Sequence, residues 1–305
     1  MKVGQGLFAK ALRFFFDHFV LTKIGYSIDP FSAGRDEERV IPTAHGPVRA
    51  LFHWPRERGE KLPLFLHIHG GGFIFGKPDH DAVFCRRIAE NAGCLVVNVD
   101  YWRAPEHQFP IAYHQCYEAL VWLVQNAAAL GIDAERIAVG GHSAGGNLTA
   151  GVVAQAKENG GPQVCLQILD YPFTDAHSDP LAKKSRIAKP LINPGLAGLF
   201  NACYLPQAAQ ASLPQVSPLF ASIDSLRGQP PALVITAEND LLRDEGDAYA
   251  AILIEAGVTV RHEVFPGVDH YFTHTGPKEP ADAAWRLMEE SLREAFSISV
   301  VKNGE

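Results

Sequence analysis

One serine of this chain lies in a context that could make it a nucleophile. Ser143 stands in the stretch AVGGHSAGGNLTA, residues 138–150, with Gly141 and Gly145 two positions away on either side. An apolar run precedes it and a helical period follows, which is the strand-turn-helix context of the G-x-S-x-G nucleophile elbow. Such a sharp turn strains the serine backbone, and the glycines let strand and helix approach each other. The stretch therefore predicts a nucleophilic serine.

The histidine beside this serine, His142, is the conspicuous candidate for its base. A general base must come within about 2.6 to 3.2 Å of the serine oxygen and be held by a third group. Adjacent residues leaving a strand point to opposite faces, so His142 should be directed away from Ser143. We therefore expect His142 to pack or hydrogen-bond behind the elbow, with the base elsewhere in the chain.

A second stretch, HIHGGGFIFG, contains three consecutive glycines, Gly70, Gly71 and Gly72. Consecutive glycines cost backbone entropy and pack nothing, but they suit a backbone that turns its N–H groups toward a ligand. Acyl transfer develops negative charge on the carbonyl oxygen, and each donor to it is worth about 2.7 to 4 kcal/mol. The N–H of Ala144, directly after the nucleophile, would complete such an oxyanion hole.

The elements that must position these groups alternate between apolar runs and helical periods. Strands are predicted at residues 48–54, 62–69, 94–100, 136–141, 164–170, 232–238 and 258–265. Helices are predicted at about residues 79–92, 112–130, 145–159, 244–256 and 280–296. Strands that are apolar on both faces and separated by helices predict a mostly parallel sheet covered on both sides. The reactive groups should lie at the carboxyl ends of its strands.

The N-terminal segment has the apolar spacing of an amphipathic helix. Its apolar face is predicted to comprise Leu7, Phe8, Ala11, Leu12, Phe15, Phe19 and Leu21. A signal peptide or transmembrane helix is disfavoured because Lys10, Arg13, Asp17 and His18 interrupt the run. We expect this helix to pack on its own protein; a lid bordering the substrate or a membrane-surface contact are the alternatives.

A long proline-rich interval separates two predicted strands. Residues 172–218 have no strand pattern, although a short helix near 195–204 is expected, and a loop of that length is usually functional. We interpret the interval as a cap insertion. The predicted division is therefore residues 1–45 as a helical N-terminal part of the cap, residues 46–171 and 219–305 as the catalytic domain, and residues 172–218 as the rest of the cap.

Four motifs together resemble the hormone-sensitive lipase family of carboxylesterases. They are HGGGF at 69–73, DYWRAPEHQFP at 100–110, GHSAGGNL at 141–148, and SPL…PPALVITAENDLLRDEG at 217–246. The resemblance runs from about residue 40 to 275 and implies the α/β-hydrolase fold. It also implies that Gly71, Gly72 and Ala144 donate to the oxyanion. His142 is a departure, since the family most often has an acidic residue or threonine there.

In this fold the triad runs along the chain as serine, acid and histidine. The acid should lie just past the carboxyl end of a strand, where ALVITAEND places Asp240, and this is also the position that the resemblance implies. Asp244 and Glu245 fit better in the first turn of the following helix, where the helix dipole favours negative charge.

Position along the chain also selects the base among 13 histidines. His270 lies in the loop beyond the last strand, and the family's final His-x-Phe motif matches His270-Tyr271-Phe272. His262 lies within the strand pattern, and His274 is the fallback. Asp269 is adjacent to His270 and poorly placed to orient it, so it is expected to be a solvated loop carboxylate.

Composition limits the partners of the chain. Its 305 residues carry 27 basic and 34 acidic side chains, a formal charge of −7, which disfavours nucleic acid and anionic membranes as partners. The spacing of Cys85, Cys94, Cys116, Cys165 and Cys203 matches neither a zinc site nor a small disulfide framework, so a cytoplasmic protein is expected. The resemblance leaves a homodimer open, and stable membrane insertion is not expected.

These observations favour a serine carboxylesterase that hydrolyses short to medium acyl esters through an acyl-enzyme. Ser143 would be the nucleophile, His270 the base and Asp240 the acid, with no metal or cofactor required. An amidase, lactonase or formamidase on the same triad is the first alternative. The second is a non-catalytic binding protein, since relatives such as the plant gibberellin receptors lack the catalytic histidine. The presence of both Asp240 and His270 favours the enzyme.

Overall fold

A central sheet of eight strands organises the part of the chain that the structure describes, residues 3–20, 34–57 and 59–297 of a computed structural model. The strands are β1 Arg35–Ile41, β2 Val48–Trp54, β3 Leu62–Ile68, β4 Leu95–Asp100, β5 Ile132–His142, β6 Leu166–Asp170, β7 Ala232–Ala237 and β8 Val260–Phe265. Their order across the sheet is β1-β2-β4-β3-β5-β6-β7-β8. Residues 21–33 and 298–305, which the sequence assigned to the cap and the catalytic domain, lie outside the described residues.

The sheet is mostly parallel, as predicted. Only β2 and β1 run antiparallel to their neighbours, and every other neighbouring pair is parallel. All seven residues of β3 and five of the six residues of β4 are buried. Burial on both faces is what their continuous apolar sequences require, because helices connect parallel strands across the faces of a sheet.

Helices cover both faces of the sheet. They are α1 Val3–Phe15, α2 Pro78–Ala92, α3 Ile111–Gln125, α4 Ala127–Leu130, α5 Ala144–Glu158, α6 Pro194–Tyr204, α7 Ile223–Leu226, α8 Arg243–Glu255, α9 Phe272–Thr275 and α10 Lys278–Ser297. On one face, α2 and α10 pack through Phe84 and Trp285, whose rings stack 4.6 Å apart. On the other face, α3 and α5 bury Leu120 and Leu148 against the sheet.

The first strand corrects the prediction that residues 1–45 are a helical part of the cap, because residues 35–41 belong to the sheet. β1 pairs with β2 in a continuous antiparallel register from Arg35 opposite Trp54 to Ile41 opposite Val48. Its sequence RDEERVI is charged and mostly exposed, which is typical of an edge strand protected from aggregation. The hydrophobic pattern that identified the other strands is therefore missing from this one.

The N-terminal helix forms, but its buried face differs from the predicted one. The α-helix α1 continues as a π-helix over Phe16–Val20. Phe8, Phe15 and Phe19 are exposed by 58%, 52% and 54%. Burial is instead decided by tertiary partners, because Phe16 stacks on Phe75 at 4.4 Å and the Asp17 carboxylate accepts the Gly76 amide at 2.8 Å. Leu21 of the predicted face lies outside the described residues.

The interval 172–218 contains α6, in agreement with the short helix expected near 195–204. Asn193 caps α6 by accepting the Leu196 amide at 3.0 Å, and Pro194 occupies its first turn. Both ends of the interval are tied to α5, since Asn147 donates to the carbonyls of Phe173 and Val216 at 2.8 Å each. The helices α1 and α6 contact each other.

A buried carboxylate fastens the same interval to α8. Glu245 lies in the first turn of α8, as predicted, and accepts the Thr174 amide at 2.8 Å and the Asp175 amide at 3.1 Å. It also forms an ion pair with Lys183. Burial raises the pKa of Glu245 to about 7, although Lys183 opposes the shift.

This pKa predicts a pH dependence of stability. In the unfolded chain the carboxyl ionises near 4.5, so between pH 4.5 and about 7 the folded state binds more protons. The free energy of unfolding should therefore fall as the pH rises through that window. Glu245→Gln removes the titration but keeps an oxygen acceptor for both amides. The Tm of the wild type minus that of the variant should decrease between pH 4.5 and 7.5, and a constant difference would contradict the assignment.

The helices also bear on membrane association. Within residues 3–20, 34–57 and 59–297, no helix has both the length and the apolar character needed to cross a bilayer.

Candidate active site

Ser143 lies at the tip of a tight turn between β5 and α5. Its backbone has φ 56° and ψ −119°, a conformation that costs energy in a non-glycine residue and marks a nucleophile elbow. A side chain at either Gly141 or Gly145 would overlap the carbonyl oxygen of Ile68 at the end of β3. The two glycines therefore permit the close approach of strand, turn and helix that the sequence predicted.

The structure brings the three predicted triad residues together. His270 Nε2 lies 2.9 Å from Ser143 Oγ, and His270 Nδ1 lies 2.6 Å from Asp240 Oδ2. These distances assign the tautomer in which Nδ1–H donates to Asp240 and Nε2 accepts the serine hydroxyl. All three side chains are buried, so the hydrogen bonds are little weakened by solvent.

The loops that carry the acid and the base are themselves held in place. Asp240 follows β7, and its second oxygen accepts the Leu242 amide at 2.9 Å. His270 follows β8, and its amide donates to Asp269 Oδ1 at 2.7 Å. The other oxygen of Asp269 accepts the Leu191 amide at 2.7 Å. Asp269 is thus not the solvated loop carboxylate expected from the sequence. It is half-buried, and burial raises its pKa. Through the Leu191 amide it connects the loop that carries His270 to residues 172–218.

The glycine-rich loop after β3 passes beside Ser143 in a left-handed conformation. Gly71 has φ 114° and Gly72 has φ 57°, and the Gly71 carbonyl accepts the amides of Ile74 and Phe75 at 3.0 Å. A side chain at Gly71 would overlap the Phe75 carbonyl, and one at Gly72 would come within 2.6 Å of the Phe200 ring. Ala144, the third predicted donor, is the first residue of α5.

Residues 100–110, with the sequence DYWRAPEHQFP, hold the glycine-rich loop through hydrogen bonds, a role that the sequence did not indicate. Tyr101 donates its hydroxyl to the His69 carbonyl at 3.1 Å, and the Ala104 amide donates to the Phe73 carbonyl at 2.9 Å. Arg103 donates to the Gly76 carbonyl and lies 3.2 Å from Asp17 Oδ2. The loop is thereby fixed at its start, middle and end.

His142 and His274, the two competing histidines, do not contact Ser143 Oγ through a hydrogen bond. His142 is buried, its Nε2 accepts the Gly70 amide at 3.0 Å, and its Nδ1 lies 3.8 Å from Asp81 Oδ2. His274 Nε2 lies 3.3 Å from Asp81 Oδ1. His262 extends from β8 toward Thr236 and Asp247. His270 is therefore the histidine that the tertiary structure places against the serine.

One group of side chains has the composition of a metal site. Within the described residues, His67, Asp81 and His142 place one ligand atom each within 4.8 Å of one another, and all three are buried. His67 Nε2 is 3.0 Å from Asp81 Oδ2, a hydrogen-bond distance. Proton placement decides between a metal site and a hydrogen-bonded cluster.

An apolar cavity opens over Ser143 and includes residues that the sequence could not identify. Five of the side chains that line it come from the N-terminal helical segment and from residues 172–218: Phe16, Leu191, Ile192, Leu196 and Phe200. Phe75 connects two of these side chains, since it stacks on Phe16 and meets Phe200 edge-on at 5.5 Å. No local sequence signal distinguishes them from ordinary core residues, because the packing of α1 and α6 over the loop decides which side chains face the cavity.

The site has the arrangement of a known family. A family model described as the alpha/beta hydrolase fold matches residues 65–274, more than half of the chain. The chain belongs to this family. The hormone-sensitive lipase-like group expected from the four motifs is likewise confirmed.

Curated members of the alpha/beta hydrolase family resemble most of this chain. It is 38% identical to the carboxylesterase NlhH of Mycobacterium tuberculosis over 239 residues, 78% of this chain and 74% of that protein. It is also 38% identical to an ethyl acetate hydrolase of Pseudomonas putida over 233 residues, 75% of this chain and 72% of that protein.

Solved structures extend the alpha/beta hydrolase similarity to the whole architecture. A thermostable esterase from Pseudomonas putida superposes with a TM-score of 0.88 at 33% identity, covering 98% of this chain and 93% of that one. A hyperthermophilic esterase from Pyrobaculum calidifontis gives a TM-score of 0.85 at 35% identity, covering 94% and 93%.

Proposed function

We propose that this protein is a serine carboxylesterase that hydrolyses short to medium acyl esters through an acyl-enzyme intermediate. The observation that carries the proposal is the chain of contacts from Asp240 through His270 to Ser143, at 2.6 and 2.9 Å, directly beside a glycine-rich loop. The similarity to proteins named carboxylesterase, ethyl acetate hydrolase and arylesterase supports the ester as substrate.

The proposed mechanism uses the three side chains in turn. Ser143 Oγ attacks the ester carbonyl carbon as its proton passes to His270 Nε2, and Asp240 stabilises the resulting imidazolium. The electron pair of the carbonyl moves to its oxygen, where the amides of Gly71, Gly72 and Ala144 would donate to it. Collapse of the intermediate breaks the ester bond, and His270 gives its proton to the departing alkoxide.

Deacylation repeats the same steps with water. His270 takes a proton from a water molecule, whose oxygen attacks the carbonyl of the acyl-enzyme. The second tetrahedral intermediate collapses by breaking the bond to Ser143 Oγ, which recovers its proton from His270. A carboxylic acid leaves, and the enzyme returns to its initial state without an external cofactor or metal.

The walls of the cavity support an apolar substrate of limited length. A narrow recess beside Ser143 is lined by Phe73, Phe173, Ile192, Ala197, Phe200 and Leu242. The Phe73 ring is buried, stacks on Tyr204 at 3.8 Å and meets Phe173 edge-on at 6.0 Å, so aromatic packing holds this wall. Rigid aromatic walls favour short acyl groups over long chains, which would have to displace them.

A p-nitrophenyl ester series from acetate to laurate tests the proposal. We expect burst kinetics, turnover of the short and medium esters, and a kcat/KM at twelve carbons about tenfold or more below the maximum. Ser143→Ala is the control for background hydrolysis. A folded wild-type protein with no turnover above this control would refute the esterase assignment.

The same assay separates the alternatives. Turnover of a p-nitroanilide, a lactone or a formamide with a higher kcat/KM than any ester would identify the amidase, lactonase or formamidase. Ligand binding without turnover would identify the non-catalytic relative. His270 within 2.9 Å of Ser143 favours the enzyme over the binding protein.

Three further proposals concern the context of the enzyme. The N-terminal residues before β1 and residues 172–218 would form the cap, supported by the contact of α1 with α6, whereas β1 pairs with β2 in the sheet. A small-molecule ester would be the principal partner, and a homodimer stays a prediction. A cytoplasmic location is proposed on the scattered spacing of the five cysteines.

A further inference from the structure

His142 makes an unusual hydrogen bond to the first residue of the glycine-rich loop that follows β3. The Gly70 amide donates to His142 Nε2 at 3.0 Å, and both residues are buried. Gly70 directly precedes Gly71 and Gly72, whose amides the proposed mechanism directs at the substrate oxygen. His142 also directly precedes Ser143, so this hydrogen bond connects the nucleophile elbow to the glycine-rich loop.

This hydrogen bond fixes the proton on the imidazole. A backbone N–H can only donate, so Nε2 must be unprotonated, and in a neutral imidazole the proton then lies on Nδ1. Nδ1 lies 3.8 Å from Asp81 Oδ2, beyond hydrogen-bond distance but close enough for the carboxylate to attract the N–H electrostatically. Burial lowers the pKa of His142 well below its usual range, although Asp81 opposes the shift, so the ring is neutral.

Asp81 lies among three histidines, His67, His142 and His274. His67 donates from Nε2 at 3.0 Å, and His274 Nε2 lies 3.3 Å away, with Thr273 Oγ1 3.0 Å from the other nitrogen of the His274 ring. Burial opposes ionisation of Asp81, but the surrounding imidazoles outweigh it and keep the pKa of this carboxyl well below its ordinary value. The carboxylate is thus ionised, accepts the Nε2–H of His67 and lies near the rings of His142 and His274.

We propose that His142 is a positioning residue for the oxyanion hole: by accepting the Gly70 amide at its unprotonated Nε2, it holds the Gly71 and Gly72 amides toward the substrate oxygen. This role rests on the proposed esterase function. Catalysis is sensitive to such placement, because an error of about 1 Å in a positioned group can cost about 10²-fold in rate.

The proton positions favour this role over a metal site at the same cluster. A metal ion bound by His142 Nδ1 would require the proton to move to Nε2, where it would face the Gly70 N–H at 3.0 Å. Two donors would then oppose each other in a buried site, which is costly. The hydrogen bond to Gly70 and metal ligation by His142 are therefore mutually exclusive.

Two amide substitutions of different length test the proposal. The Oε1 of glutamine can reach the position of Nε2 and accept the Gly70 amide, whereas the amide of asparagine is one methylene shorter. We expect His142→Asn to lower kcat by about 10- to 100-fold, less than the 10²- to 10³-fold for losing one oxyanion donor, with KM within about threefold. His142→Gln should recover most of the lost kcat.

The measurements separate positioning from mere stability. Ser143 is titrated with a fluorophosphonate to completion, so that kcat refers to intact sites, and the inhibition constant of a trifluoromethyl ketone is measured. The affinity for the trifluoromethyl ketone should fall in parallel with kcat/KM, because the adduct that this ketone forms with Ser143 carries an oxyanion like that of the tetrahedral intermediate. His53→Gln is the matched control: His53 is also buried, lies on β2 at 2.9 Å from Asp36, and is not among the residues that line the cavity.

Each outcome has one meaning. Equal per-site kcat and inhibitor affinity in the wild type and His142→Asn would overturn the positioning role. A glutamine variant as slow as the asparagine variant, although folded by circular dichroism, would overturn it as well. A wild type without ester turnover would instead refute the proposed function.

Discussion

Replacement of His270 by alanine is expected to lower kcat for p-nitrophenyl butyrate by about 10⁴- to 10⁶-fold, with little change in KM. The imidazole is the group within 2.9 Å of Ser143 Oγ that can take its proton, and Asp240 holds it in the required tautomer. Without it the hydroxyl is a weak nucleophile, and the remaining rate comes from the oxyanion donors and substrate binding. Stopped-flow measurement of the p-nitrophenolate burst isolates the acylation step.

The chain supplies a matched histidine for comparison. His262 lies on β8, the strand that leads to the His270 loop, and contacts Thr236 and Asp247 instead of the cavity. His262→Gln should keep kcat within about twofold, since it removes no group that meets the substrate. If His270→Ala kept its activity while a His142 variant lost all of it, the assignment of the base would be wrong.

Replacement of Gly71 by alanine is expected to lower kcat by about 10²- to 10³-fold, the effect of losing an oxyanion donor. Gly71 has φ 114°, which disfavours any side chain, and an added Cβ would overlap the Phe75 carbonyl. The loop must shift to relieve this overlap, and its amides then leave the substrate oxygen. Steady-state kinetics over the ester series, normalised to titrated Ser143, measures the loss.

Gly93 provides the control for the backbone strain alone. It ends α2 in the left-handed conformation at φ 63°, and a side chain there would meet no atom within 4 Å. Gly93→Ala should cost about 1 kcal/mol of stability and leave kcat unchanged. A Gly71→Ala protein with a lowered Tm but normal kcat would show that the loop is structural and that the oxyanion is stabilised elsewhere.

The remaining difference between prediction and structure concerns contacts that are distant along the chain. The sequence placed His142 behind the elbow and left its partner open, and the partner is the Gly70 amide, 72 positions away. That meeting follows from the parallel register of β3 and β5, in which Ile68 lies opposite Gly141. Apolar strands of similar composition could pair in other registers, so no local pattern identifies the contact.

The edge strand and the cavity lining were missed for related reasons. β1 is charged along most of its length and carries no apolar alternation, so only its pairing with β2 defines it. Phe16 and Phe200 have the composition of core residues, and the packing of α1 and α6 turns them toward Ser143. Asp269 looked solvated because its acceptor role depends on the amide of Leu191, which is distant along the chain.

The sequence by itself determined the elbow at Ser143, the chain order of Asp240 and His270, and the alternation that makes a parallel sheet. These features are local: glycine spacing limits backbone dihedrals, and apolar periodicity selects strand or helix within a few residues. The tertiary structure alone decided which amide His142 accepts and which side chains of α1 and α6 line the cavity over Ser143. Those depend on strand register and helix packing, which arise only when distant segments share one core.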